Sequence, residues 1–234
     1  MGAIKISKGE SEGKKLADDP VWLFEIREPH ALLVVTHPDD ETIFAGGLIL
    51  SSRQTKWTII CCVAESVQRQ NEFRCACKFL AGESGNRISS ILLNIPKKLD
   101  GKIDYKALTR ELRAFAKGYN IVFTHNSQGE YGHPNHKLVH QGVIESIANP
   151  NTWLFISPGS KNQQVIKSKK IGGNYTLDLS KDIQNLKIKA FQECHVSQAQ
   201  LYGYDNTDKL RPSQLLETLL WEFESGKEQY TFYG

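Results

Sequence analysis

The sequence predicts an α/β fold, a Rossmann-like three-layer sandwich with a mostly parallel sheet. Three observations predict it. Short apolar runs alternate with stretches of helical periodicity, in the order strand, helix, strand, helix. The first run, Ala31-Leu32-Leu33-Val34-Val35-Thr36, is apolar along its length, as a buried strand is. That run and a second one near Val122 each lead into a loop rich in histidine and carboxylate, followed by a helix start. Open α/β sheets put their ligands at such carboxyl ends.

Taken in order, residues 31–36, 57–63, 89–93, 121–124 and 153–156 read as strands. Residues 42–52, 68–80, 105–117 and 134–148 read as the helices between them, joined by right-handed crossovers. Beyond these, 174–179 is a further strand and 180–194 a helix with Ser180 as its N-cap. A last helix runs over 212–224, with Pro212 suited to the first helical position, and 230–233 is expected as a closing edge strand. Gly46-Gly47 comes too late and too compactly after the first strand for a Gly-x-Gly-x-x-Gly dinucleotide loop. The polar first twenty residues are expected as a loosely held arm, and 21–234 as one domain without repeats or low-complexity tracts.

Composition bounds the function. A chain of 234 residues with 40% hydrophobic and 24% charged residues suits one soluble enzyme-sized domain. No apolar run approaches the ~18 residues that span a bilayer, and the N-terminus lacks the apolar centre of a signal peptide. Ile6 stands where a myristoylation signal needs Ser or Thr. A net charge of +3 is too mild to argue for nucleic acid. The densest basic run, Lys167-Ser168-Lys169-Lys170, reads as a solvated loop. Five cysteines, an odd number without Cys-x-x-Cys spacing, point to reduced thiols and a cytoplasmic setting. Cys61 and Cys62 read as small core residues, and a Cys194–His195 nucleophilic pair is disfavoured because neighbours in an extended segment point apart. No feature argues for an oligomer.

The chemistry concentrates in two segments. His37-Pro38-Asp39-Asp40-Glu41 follows the first strand, and Pro38 suits the turn by fixing its own φ and pushing His37 toward an extended conformation. Three acids beside a histidine are costly there unless a cation neutralises them. About ninety residues on, the strand 121–124 leads into His125-Asn126-Ser127-Gln128-Gly129-Glu130-Tyr131-Gly132-His133-Pro134-Asn135-His136. The His133-x-x-His136 pair, brought beside His37 and Asp40, makes a three-ligand site with an open position, the arrangement of catalytic zinc. Without that meeting, the two segments are a solvated acidic turn and a helix-face histidine pair.

Together these segments resemble the PIG-L/LmbE superfamily of zinc-dependent N-deacetylases, which remove acetyl groups from N-acetylglucosamine-type sugars. Arg69-x-x-Glu72-x-x-x-Ala76-x-x-x-Leu80 resembles the second helix of that family, and Lys189-Ala190 with His195-Val196-Ser197-Gln198 its late segment, so the likeness runs from about Leu32 to Gln198. Two departures stand out. Cys61-Cys62-Val63-Ala64-Glu65-Ser66 lacks the glycine of a Thr-x-Gly-Glu-type turn, and Asn135 occupies a position that is often Asp. Both put the substrate in question more than the metal.

The resemblance and the residue chemistry assign roles. His37, Asp40 and His136 are the metal ligands. Their nitrogen and oxygen donors suit Zn2+, and also Fe2+, Co2+ or Mn2+. Asp39 is the general base toward a metal-bound water, or else a helix N-cap. Glu41 stays on the first helical turn and is no ligand. His133, as imidazolium, and the Tyr131 hydroxyl stabilise the oxyanion or release the amine. Arg69, Glu72 and His195 are placed at the substrate, with an intrahelical Arg69–Glu72 ion pair as the plainer alternative. His125 reads as a loop histidine, and His30 and His140 as structural or exposed. The implied activity is metal-dependent deacetylation of an N-acetylated sugar or glycoconjugate. The alternatives are an amidase for another sugar or thiol conjugate and a non-catalytic sugar-binding module.

Overall fold

A computed structural model describes residues 5–8, 28–156, 175–202 and 223–233. Its strands are β1 (Lys5–Lys8), β2 (His30–Val35), β3 (Lys56–Cys61), β4 (Arg87–Leu92), β5 (Ile121–Thr124), β6 (Thr152–Ile156), β7 (Tyr175–Asp178) and β8 (Lys227–Tyr233). The helices are α1 (Asp40–Ser51), α2 (Val67–Ser84), α3 (Tyr105–Leu112, continued by a 3-10 turn at Arg113–Phe115), α4 (Pro134–Ile147), α5 (Lys181–Cys194) and α6 (Val196–Tyr202). The strands form one eight-stranded sheet in the order β1-β7-β8-β6-β5-β2-β3-β4. The run β6-β5-β2-β3-β4 is parallel, and β8, β7 and β1 extend it in turn, each antiparallel to the strand it joins.

Alternation along the central strands builds the layers. Leu33 and Val35 on β2, with Ile59 and Cys61 on β3, face a core closed by α1, α2 and α5. Leu32, Val34, Ile60 and Cys62 face the other way, onto Leu108, Leu112, Val139 and Val143 of α3 and α4. From β2 the chain moves outward through β3 and β4, and then returns to β5 on the other side of β2. This reversal leaves a crevice beyond the carboxyl ends of β2 and β5, where open sheets bind ligands.

Helix α1 is buried at all twelve positions. Its middle is tied to β8: the amides of Gly47 and Leu48 donate to the Glu228 carboxylate at 2.7 and 2.8 Å, and the Tyr230 hydroxyl donates to the Phe44 carbonyl at 2.9 Å. Lys187 of α5 neutralises Glu228 at 2.8 Å, both side chains being fully buried. A Cβ on Gly47 would lie 2.6 Å from Leu179 and 2.9 Å from Glu228. Close approach of a buried carboxylate, and not phosphate binding, is therefore what this glycine serves. The cluster fixes the helix whose first residue is Asp40.

Several expectations need correction. Residues 227–233 are not an edge strand, because β8 lies inside the sheet between β6 and β7. Within the expected loose arm, Lys5–Lys8 pairs with β7 and takes the edge. The seven-residue α6 directly follows α5, too short for periodicity to reveal. The basic run at Lys167 and most of the helix expected over 212–224 lie outside the described residues, although Phe223 and Glu224 are helical. The cysteines are not all reduced thiols, for Cys75 on α2 and Cys194 at the end of α5 form a disulfide with Cα atoms 5.3 Å apart. Spacing along the chain could not show this, since the partners are 119 residues apart and meet only because α2 packs on α5. The bridge removes Cys194 as a nucleophile. Cys61, Cys62 and Cys77 are free and buried, and burial pushes their thiols up. Among the described residues no helix is long and apolar enough to cross a membrane.

Candidate metal centre and active site

Parallel pairing of β2 with β5 sets Val34 opposite Thr124, so the loops that follow leave the sheet side by side. The Thr36 amide donates to Nε2 of His125 at 3.0 Å, stitching one loop to the other. Pro134 opens α4, and His133 caps it by accepting the Asn135 amide on Nδ1 at 3.2 Å.

Three donor atoms converge between the loops. Nε2 of His136 lies 3.4 Å from Nδ1 of His37 and 3.5 Å from Oδ2 of Asp40, and the remaining side, His37 to Asp40, is 3.7 Å. Donors ~2.1 Å from a tetrahedral ion stand ~3.4 Å apart, so this triangle has the size a divalent ion requires. Burial holds the His37 imidazole well below its ordinary range despite Asp40, which keeps a lone pair on it. Burial alone would raise Asp40, but His136, His125 and His37 outweigh it and hold the carboxylate ionised. Two imidazole nitrogens and one carboxylate form a set that fits Zn2+ and its neighbours.

Glu130 and His125 complete this centre; the sequence did not single out Glu130, and a supporting place for His125 ranked behind that of a plain loop histidine. Oε2 of the buried Glu130 accepts Nδ1–H of His136 at 2.6 Å and Nδ1–H of His125 at 2.9 Å, while Oε1 accepts the Asn126 amide at 2.9 Å. The first bond fixes the His136 tautomer with its Nε2 lone pair toward the triangle, as outer carboxylates do for metal-bound histidines. Burial would raise Glu130, but the two histidines bring it down to about 2. His125 stacks on His136 with ring centroids 4.0 Å apart. Burial lowers His125, and the carboxylates of Glu130 and Asp40 raise it to about 9. Yet the Thr36 amide pointing at Nε2 requires a lone pair there, so the ring is neutral and that nitrogen is already used. His125 therefore supports the centre without joining it. The pattern strand-His-x4-Glu-x5-His was the available signal.

Asp39 sits at the N-cap position of α1 but makes no capping bond with its side chain. Its Oδ2 instead meets Nη2 of Arg69 at 3.1 Å, and its backbone has φ 125°, a conformation that favours glycine and costs about 1–3 kcal/mol in other residues. Its amide donates to Oε2 of Glu41 at 3.0 Å. Burial raises the Asp39 carboxyl to about 7, with Arg69 opposing. Arg69 is held in turn by Glu72 at 2.8 Å and by the Pro38 carbonyl. Glu72 accepts the amide and hydroxyl of Ser197 at 2.9 and 2.8 Å, joining α2 to α6.

Two residues expected at the substrate are placed behind it. His195 is fully buried, with Nε2 2.8 Å from Oε1 of Glu41 and 3.2 Å from Thr42 Oγ1. It braces Glu41, and through it the Asp39 backbone. Glu72 braces Arg69. Neither lines the cavity. Both Glu41 oxygens are engaged within the fold, Oε1 by His195 and Oε2 by the Asp39 amide.

The cavity has a volume of about 350 Å³. Its wall includes His37, Asp39, Asp40, Arg69, Tyr131 and His133, together with Glu65, Lys97, Gln198 and Tyr202, which the sequence did not single out. Burial and the surrounding carboxylates push the Tyr131 hydroxyl well up, and Tyr202 to about 12, so both stay protonated donors. The expected imidazolium at His133 is corrected. Burial and His136 lower it to about 4, and its Nδ1 accepts an amide, so Nε2 bears the single proton of a neutral ring.

A family model described as PIG-L, GlcNAc-PI de-N-acetylase, matches residues 32–147. The 1D-myo-inositol 2-acetamido-2-deoxy-α-D-glucopyranoside deacetylase 1 of Saccharopolyspora erythraea is 26% identical over 184 residues, covering 59% of this chain and 60% of that one. The probable N-acetylglucosaminyl-phosphatidylinositol de-N-acetylase of Schizosaccharomyces pombe is 26% identical over 140 residues, 53% of this chain and 55% of that one. The chain thus spans little more than half the length of these two relatives. The crystal structure of A40926 pseudoaglycone deacetylase superposes with a TM-score of 0.60 at 15% identity, covering 88% of this chain and 96% of that one, a likeness of fold.

Proposed function

We propose that this chain, which matches the PIG-L family model over residues 32–147, is a zinc-dependent hydrolase of that family that removes the acetyl group from an N-acetylglucosamine-type sugar or sugar conjugate. The observation that carries the proposal is the triangle of His37, Asp40 and His136 donors, opening on a cavity that also holds Asp39. The relatives named as deacetylases of acetamido-glucose conjugates support the choice of bond and of sugar.

A divalent ion held by His37, Asp40 and His136 would supply a Lewis acid and an activated water. Asp39, raised to about 7, is matched to accept that water's proton near neutral pH and to return it to the departing amine. Arg69 aims the carboxylate and limits its rise. Neutral His133 donates its Nε2–H to the developing oxyanion, and the Tyr131 hydroxyl is a second donor on the same wall. His195 and Glu41 hold the strained Asp39 backbone in place.

The test is metal content with turnover. Wild type should carry about one zinc per chain and release acetate from acetamido sugars. His37→Ala, Asp40→Ala and His136→Ala should each lose the metal. A protein that stays metal-free after reconstitution would refute the proposal. A panel varying acyl group and glycan separates deacetylase from amidase on another conjugate. A cytoplasmic location is proposed as well, and cell fractionation checks it: recovery in a secreted or luminal fraction, where a bridge such as Cys75–Cys194 ordinarily persists, would overturn it.

A further inference from the structure

We propose that Lys97, on a hairpin pinned to the active-site loop by Asn135, binds an anionic group (a phosphate or carboxylate) carried by the substrate beside its acetamido sugar. This deepens the deacetylase reading and rests on it.

After β4 the chain doubles back in a narrow hairpin. The Lys98 amide donates to the Lys102 carbonyl at 2.7 Å, the Gly101 amide to the Lys98 carbonyl at 3.0 Å, and Lys97 bridges to Ile103. The hairpin is anchored by the residue that departs from the family pattern. Asn135 accepts the Ile103 amide on Oδ1 at 3.1 Å and donates Nδ2–H to the Gly101 carbonyl at 3.3 Å. An aspartate could do the first but not the second. Because Asn135 lies between His133 and His136, this clamp fixes the hairpin relative to the reaction centre.

Lys97 lines the same cavity as His37 and His133. Arg69, the other cation on that wall among the described residues, is engaged by Asp39, Glu72 and the Pro38 carbonyl. Lys97 pairs with Glu65, whose side chain is 65% exposed, and an exposed pair of this kind contributes little and is readily exchanged. The wall carboxylates Asp39 and Asp40 are engaged by Arg69 and by the histidines. Among the described residues, an incoming anion therefore meets one cation whose partner can swing into solvent. Lys98 and Lys102 on the same hairpin, against Asp100, favour its approach. Charge-assisted bonds to an ammonium are the interaction such a substituent would make.

The test uses metal-loaded enzyme with N-acetylglucosamine 1-phosphate and the neutral methyl glycoside in parallel. Wild type should prefer the phosphate by at least about tenfold in kcat/KM, through KM. Lys97→Gln should cut that preference about tenfold with kcat for the phosphate little changed, and Lys97→Arg should restore most of it. Asn135→Ala should lower the preference while metal content stays at wild type. The same sugar phosphate esterified to a lipid in phosphatidylcholine vesicles separates the sources. A Lys97-dependent preference lost in Leu99→Asp, altered at the exposed hairpin tip, assigns the anion to a lipid headgroup. Lys97 dependence confined to the soluble arm assigns it to a free metabolite. An unchanged phosphate-to-neutral ratio for Lys97→Gln in both arms overturns the proposal. If metal-loaded wild type cleaves neither sugar, the deacetylase reading fails instead. Calorimetric binding of inorganic phosphate to wild type and Lys97→Gln then still decides whether Lys97 is an anion site.

Discussion

Replacing Glu130 by Gln should weaken the metal centre without touching a ligand. The Glu130 carboxylate receives three N–H donors: His136 and His125 on Oε2, and the Asn126 amide on Oε1. A glutamine has one acceptor oxygen. With that oxygen toward the imidazoles, its NH2 faces the Asn126 amide; turned around, the NH2 faces both imidazoles. At least one buried donor is left unsatisfied, a cost of about 1–3 kcal/mol to the metal-free protein. Alternatively His136 switches tautomer, donates from Nε2 and turns a proton toward the ion. Either way metal affinity should fall about 10- to 100-fold, the range for losing such an outer carboxylate, or about 1.4–2.8 kcal/mol. Competition against a chelator of known affinity measures this, and a melting curve of the metal-free protein measures the stability cost. A Gln variant with metal affinity within twofold of wild type and an unchanged melting temperature would refute the tautomer argument.

Other predictions follow from the same geometry. Asp39→Asn should keep the metal and lose about 10²- to 10⁴-fold in kcat; full activity would remove Asp39 as the base. Because the base must be ionised and its folded value is raised to about 7, wild-type kcat/KM should fall as pH drops through an acid limb at or below 7, a bound cation pulling it lower. An acid limb that persists unchanged in Asp39→Asn contradicts the assignment. Gly47→Ala should destabilise by about 1–3 kcal/mol, since its Cβ collides with Leu179 and Glu228; denaturant unfolding tests it. Reducing Cys75–Cys194, which closes a separation of 119 residues, should cost about 2–5 kcal/mol. Equal unfolding midpoints with and without reductant would show that the bridge does not form.

The sequence by itself determined the alternation of strands and helices, the buried centre of the sheet, and the two loops that carry His37, Asp40 and His136. It could do so because hydrophobic period, Pro134 at a helix start and close ligand spacing are properties of neighbouring residues. It named Asp39 and Arg69 as well, but not their pairing. Only the tertiary structure decided what depends on residues far apart in the chain. It set Glu130 under two histidines, sent His195 behind α1, brought Cys75 against Cys194, and drove Glu228 of β8 into the flank of Gly47. Burial and tautomer follow from those meetings. They turn His133 from an expected cation into a neutral donor and make Asn135, read first as a departure, the clamp of a hairpin. Local pattern fixes which residues can do chemistry. The protonation, orientation and neighbours with which they do it are set by packing, where desolvation and hydrogen bonding outweigh anything spacing encodes.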